Sequence, residues 1–182
     1  EGAAPPAFIR GVAREKAIDI SGIFDQRGNY AFRDFAEFLR VYEAATSVLT
    51  TPQDYARLTR AVLEESAASG VIYCETFVSP DFCGGRDPGA WREYVHAIRE
   101  GAAMVPEVTL RAIVTPIRHF GPEKARETAL CAAETAGDFI VGCGLAGAET
   151  VGAPKDFAWS FDMAREAGLR LTAHAGEWRG PE

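Results

Sequence analysis

The stretch DFIVGCGLAGAETVGAPKDFAWSFDMAREAGLRLTAHAGE (138–177) holds one full period of the fold. Its ends, DFIVGCGLAG (138–147) and LRLTAHAGE (169–177), are short apolar runs that read as strands covered on both faces. Between them PKDFAWSFDMAREAG (154–168) has helical character, and Gly168 stands where a helix hands over to the next strand. Working outward toward the N-terminus, the alternation continues. VIYCETFVSP (71–80) and TLRAIVTPIRH (109–119) read as strands, PGAWREYVHAIREGAAMV (88–105) and GPEKARETALCAAETAG (121–137) as helices, with Gly70 and Gly137 at junctions. Strands that start roughly 30 to 38 residues apart suit parallel pairing through right-handed helical crossovers.

An open doubly wound sheet and a (β/α)8 barrel both fit this repeat. No G-x-G-x-x-G follows the first strand, and GCGLAGAE (142–149) lacks that spacing. Polar or glycine-rich chemistry instead follows every strand: Glu75 and Ser79, Arg118 and His119, Gly147 and Glu149, then His174 and Glu177. Active sites drawn from several strand ends are what a barrel supports, so the expectation is an α/β fold, a partial (β/α)8 TIM barrel with about half of the barrel present. The first seventy residues read as mainly helical. TPQDYARLTRAVLEESAASG (51–70) has Thr51 as N-cap and Pro52 at the first helical position, and FRDFAEFLRVYEAATSVL (32–49) places Phe32, Phe35, Phe38 and Tyr42 at near-helical spacing. No linker or low-complexity tract interrupts the chain, so residues 1–182 are expected to form a single, incomplete domain.

Composition narrows the function. The 182 residues are 47% hydrophobic, enough to bury a substantial core, and the formal charge of −7 argues against polymeric nucleic acid or an anionic membrane as partner. No apolar run approaches the roughly 18 residues of a membrane span. The first residues, EGAAPPAFIRG, carry no basic segment followed by an apolar one, so a cytoplasmic location is expected. Cys74, Cys83, Cys131 and Cys143 form no C-x-x-C pair and read as reduced, mostly buried thiols. His96, mid-helix among charged residues, reads as solvated.

The strand-end pair His174 and Glu177 carries the chemistry. A histidine there serves either as a backbone-satisfied side chain or as a metal ligand, with Glu177 as acid/base group and Gly176 letting the backbone approach a substrate. H-E-x-x-H is absent, and HAGE is H-x-x-E rather than the H-x-E of cytidine-type deaminases.

TAHAGE (172–177), preceded by GLAGAE (144–149), resembles the adenosine deaminase family, as do EGAAPPAFIR, FRDFAEFLRVYEAATSVLTTPQDY and VIYCETFVSPDF, particularly its bacterial members. The resemblance spans the chain. It implies a metal-dependent hydrolase that removes the 6-amino group of a purine as ammonia, with adenosine and 2′-deoxyadenosine as expected substrates. The alternatives it leaves open are adenine, a modified purine nucleotide, or a purine-binding relative without turnover. On this resemblance His174 would be one ligand of a catalytic zinc, and Glu177 would protonate the ring nitrogen beside the attacked carbon. Gly147 would offer its backbone N–H to the purine, Glu1 would contact the sugar hydroxyl, and Phe35, Phe38 and Tyr42 would lie on a helix closing over the base. The competing reading of those aromatic residues is core packing. The family's H-x-H motif would immediately precede Glu1, and a further histidine and aspartate would follow Glu182, so the chain is expected to be an internal portion, inactive alone. Ala148 departs from the family, where aspartate is common.

Overall fold

The structure, a computed structural model, describes residues 2–180. In chain order its elements are α1 (Pro6–Glu15), α2 (Phe35–Thr46), α3 (Pro52–Ala68), β1 (Tyr73–Val78), α4 (Pro88–Ala103), β2 (Thr109–Val114), α5 (Pro122–Glu134), β3 (Ile140–Cys143), α6 (Ala158–Glu166) and β4 (Arg170–Leu171). The residues divide into two compact units. One comprises the described parts of Glu1–Ile72 with His96–Val108, and the other Tyr73–Val95 with the described parts of Thr109–Glu182.

In the first unit, the start of α3 follows the expected capping chemistry and elaborates it. Thr51 Oγ1 accepts from the Asp54 N–H at 3.2 Å, while Asp54 Oδ2 accepts from the N–H groups of Thr50 and Thr51, both at 2.9 Å. Such a reciprocal cap satisfies helix-end donors and contributes about 1 kcal/mol. Lys16, just beyond α1, pairs with the same carboxylate and donates to the Val48 carbonyl and to Thr50 Oγ1, both at 2.8 Å. Burial alone would raise the Asp54 carboxyl, but hydrogen bonds from Lys16, Thr51 and the Thr50 and Thr51 amides outweigh it and hold the group below its usual range. Ile9 and Val12 of α1, with Tyr55, Leu58 and Leu63 of α3, are buried in this unit. α2 starts at Asp34, whose side chain accepts from the Glu37 N–H at 2.8 Å.

The second unit holds the sheet. Its four strands lie in the order β1-β2-β3-β4, each pair parallel. Strands in sequence order with a helix after each of the first three are consecutive units of a barrel wall, whereas a doubly wound sheet reverses direction at a switch point. The β2–β3 register shifts between Ala112 and Ile113. Beyond the regular strands the backbone ladder continues: Gly144 N–H donates to the Val114 carbonyl at 2.8 Å, Arg118 N–H to Ala146 at 2.7 Å, Thr172 N–H to Cys143 at 3.0 Å and His174 N–H to Leu145 at 2.8 Å. Trp91 anchors α4 to α5 in this unit, its indole N–H donating to the Cys131 carbonyl at 3.1 Å and Thr135 Oγ1 at 2.9 Å. Ala125, Leu145 and Phe157 form a buried cluster under the β3 end.

Two expectations need correction. β2 and β3 are buried, but β1 and β4 are not covered on both faces: Tyr73, Phe77 and Leu171 are exposed. The reason is position, since among the described residues β1 and β4 are the sheet's edges and each has one neighbouring strand. Apolar composition reports a residue's preference, not whether a neighbour is present. Finally, Gly70 and Gly168 have the expected left-handed conformation, but Gly137 does not. It sits in a turn whose N–H closes on the Ile140 carbonyl at 3.0 Å.

Candidate active site

The C-terminal ends of β1 to β4 bring Phe77, His119, Gly147, Glu149, His174 and Glu177 onto one unit. His174 is half-buried, and its ring centroid lies 5.2 Å from that of Phe77. Its Nδ1 lies 3.2 Å from the Leu145 carbonyl, which also accepts the His174 backbone N–H. A carbonyl can only accept, so Nδ1 carries the proton in the neutral ring and Nε2 keeps its lone pair. Fixing one imidazole nitrogen on a backbone carbonyl is how proteins orient a metal-binding histidine. His174 therefore fits the role of a ligand. Among the described residues no group of three or more His, Cys, Asp or Glu side chains is placed to hold a metal ion.

Three residues on, Glu177 is exposed on a turn whose backbone is bound to Glu149. Glu149 is 6% exposed, and its carboxylate accepts the N–H groups of Gly176 at 2.7 Å, Glu177 at 2.9 Å and Trp178 at 2.6 Å. Hydrogen bonds from Trp178 and Gly176, with smaller contributions from Glu177 and Arg179, hold its carboxyl below the ordinary carboxylate range. Gly176 adopts φ +79°, a left-handed conformation that lets consecutive amides converge on one acceptor.

Gly147 is the tightest point of the site. It has φ +94°, and a Cβ placed there would lie 2.7 Å from His119 Nδ1, 3.1 Å from Ile117 Cγ2 and 3.2 Å from the Arg118 backbone nitrogen. His119 Nδ1 in turn accepts the Ala148 N–H at 3.2 Å. Gly147→Ala therefore combines backbone strain with a clash, and should cost about 1–3 kcal/mol. Thermal denaturation of the complete protein checks it: an unchanged melting temperature would contradict the packing described.

The other expected site residues fall elsewhere. Phe38 and Tyr42 are half-buried on α2 in the helical unit, in an aromatic run with ring centroids 5.2 Å apart for Phe32 and Phe38, 5.8 Å for Phe35 and Phe38, and 6.4 Å for Phe38 and Tyr42. They line a small apolar cavity with Tyr30, Val41 and Leu49. Glu1 lies outside the described residues. His96 is solvated as expected, beside Glu100. Glu75 accepts from the Tyr73 hydroxyl at 2.7 Å. Cys83, Cys131 and Cys143 are buried and Cys74 half-buried. Burial pushes the Cys131 thiol up to about 11 and Cys143 to about 12, which leaves neither a reactive thiolate.

Sequence reasoning missed the work of Glu149 and Arg118. Arg118 is 4% exposed and its Nη1 donates to the Glu149 carbonyl at 3.1 Å, so the ends of β2, β3 and β4 are tied in series. Both residues are visible as strand-end charges, but it is the folded turn that gathers three amides on one carboxylate.

Comparison with known proteins settles the ancestry. The adenosine deaminase family model matches residues 1–182. The chain belongs to the adenosine deaminase family. An adenine deaminase of Chelativorans sp. is 44% identical across 100% of this chain, which covers 56% of that relative. A solved adenine deaminase from Arthrobacter aurescens superposes with TM-score 0.79 at 31% identity, covering 98% of this chain and 55% of that one. A Burkholderia ambifaria amidohydrolase solved with bound zinc has TM-score 0.79 at 24% identity, covering 97% of this chain and 50% of that one. The chain spans about half the length of the relatives it matches, and the fold is the corresponding part of a TIM barrel. Among the described residues, no helix is long and apolar enough to cross a membrane.

Proposed function

We propose that the complete protein is a zinc-dependent cytoplasmic hydrolase that deaminates adenine, converting adenine and water to hypoxanthine and ammonia. The observation that carries this reading is the 44% identity, over the whole of this chain, to a relative named adenine deaminase. Adenosine, the substrate first expected, gives way to the alternative, because the similar relatives are named for the free base. No polymeric nucleic acid or membrane partner enters the reading.

The site geometry supports this chemistry. His174 would hold zinc through Nε2, with the remaining ligands supplied by the complete protein. Zinc, when bound, supplies a water whose pKa is lowered toward ~7. Glu177 delivers a proton to the ring nitrogen beside the amine-bearing carbon, making that carbon more electrophilic. Gly147 offers its backbone N–H to the purine from the loop held by His119 and Arg118.

Side-by-side turnover of adenine, adenosine and AMP by the complete protein, followed by ultraviolet absorbance, tests the reading. Adenine should give the largest kcat/KM by at least about tenfold, the discrimination that ~1.4 kcal/mol of differential transition-state binding produces. Preference for adenosine would restore the first expectation. Turnover of none of the three would favour a purine-binding relative.

A further inference from the structure

We infer that Glu149 is a positioning residue for the proton donor, holding in place the turn that carries Glu177; this rests on the reading of Glu177 as the acid/base group. The residues of this turn, 175–178, are all exposed, so water competes for its amides. Yet three consecutive amides, those of Gly176, Glu177 and Trp178, converge at 2.6–2.9 Å on the carboxylate of one buried residue. A charged acceptor makes these bonds roughly twice as strong as neutral ones.

Glu149 is itself held. Arg118 donates to its carbonyl at 3.1 Å, and the neighbouring Ala148 N–H is bound to His119 at 3.2 Å. His174, by contrast, hangs from the Leu145 carbonyl through both its backbone N–H and its ring. The segment 145–149 thus carries two separate anchors, one for the metal-facing histidine and one for the proton-donor turn. Disturbing the second leaves the first in place.

Glu149→Gln is the incisive change. Oε1 accepts from Gly176, and Oε2 from both Glu177 and Trp178. Replacing either oxygen by NH2 sets donor against donor, so no orientation of the amide satisfies all three N–H groups. The turn should open while His174 stays.

The test uses the complete protein as wild type, Glu149→Gln, Glu177→Gln and the double variant. Displacing the proton donor by about 1 Å should lower kcat on adenine about 100-fold in Glu149→Gln, with zinc retained. If Glu149 acts through Glu177, the double variant should lie within about twofold of Glu177→Gln. Losses that multiply instead would mark a merely structural role and overturn the inference. Hydrogen exchange at the amides of 176–178 gives an independent readout, even if Glu149→Gln does not fold. Protection in the wild type is expected, and exchange at the rate of a free turn there would overturn the clamp. A wild type inactive on every purine would sink the functional reading, while amide exchange would still decide for or against the clamp.

Discussion

In the complete protein, His174→Ala should lose bound zinc and purine deamination together. Changing even an outer-shell partner of a metal ligand costs about 10- to 100-fold in affinity or activity, so removing the ligand should exceed about 100-fold in both. The fold should survive. What the substitution removes from the protein itself is one ring hydrogen bond to the Leu145 carbonyl, worth about 1 kcal/mol net, and a contact with Phe77. The backbone N–H of residue 174 still bonds Leu145, so the strand end keeps its register. Against a typical stability of about 5–15 kcal/mol, that loss does not unfold a domain. Metal analysis after dialysis and a circular dichroism spectrum separate the possibilities. Stoichiometric zinc in a folded His174→Ala protein would remove His174 from the ligand set.

The pairing of a His with a Glu three residues later was legible because a parallel strand must end somewhere, and HAGE puts both groups where the βα repeat places its loops. The order of strands and helices was legible for the same reason: period and glycine punctuation survive in one dimension. The capping box at Thr51 and Asp54 was half legible, since Thr51-Pro52 announces a helix start, while the approach of Lys16 to Asp54 depends on how α1 packs on α3. Edge exposure of β1 and β4 was not legible, because Tyr73 and Phe77 look the same in sequence whether or not another strand lies beside them. The clamp by Glu149 was hidden for a related reason. A carboxylate before a loop is usually solvated, and what makes this one structural is a Gly176 conformation reached 27 residues later in the chain.

Glu177→Gln should separate chemistry from structure. The Glu177 side chain is exposed, and its tie to the site runs through its backbone N–H to Glu149, which glutamine retains. Surface substitutions of this kind stay within about 0.5 kcal/mol in stability. Losing an acid/base group lowers kcat by about 10²- to 10⁴-fold, or about 2.7–5.4 kcal/mol of transition-state stabilisation. The two effects differ so much in size that a melting curve and a rate cannot be confused. Because glutamine keeps the shape and a hydrogen-bonding group, KM for adenine should change little, the pattern of an interaction made only in the transition state. Zinc content should match the wild type, since the proposed metal ligand is His174. Each alternative leaves its own trace. Near-normal kcat would make Glu177 a bystander on an exposed turn, and loss of zinc alongside activity would make it a ligand; in either case proton delivery would have to come from another strand end, with His119, whose Nδ1 is already committed to the Ala148 N–H, the candidate to test next.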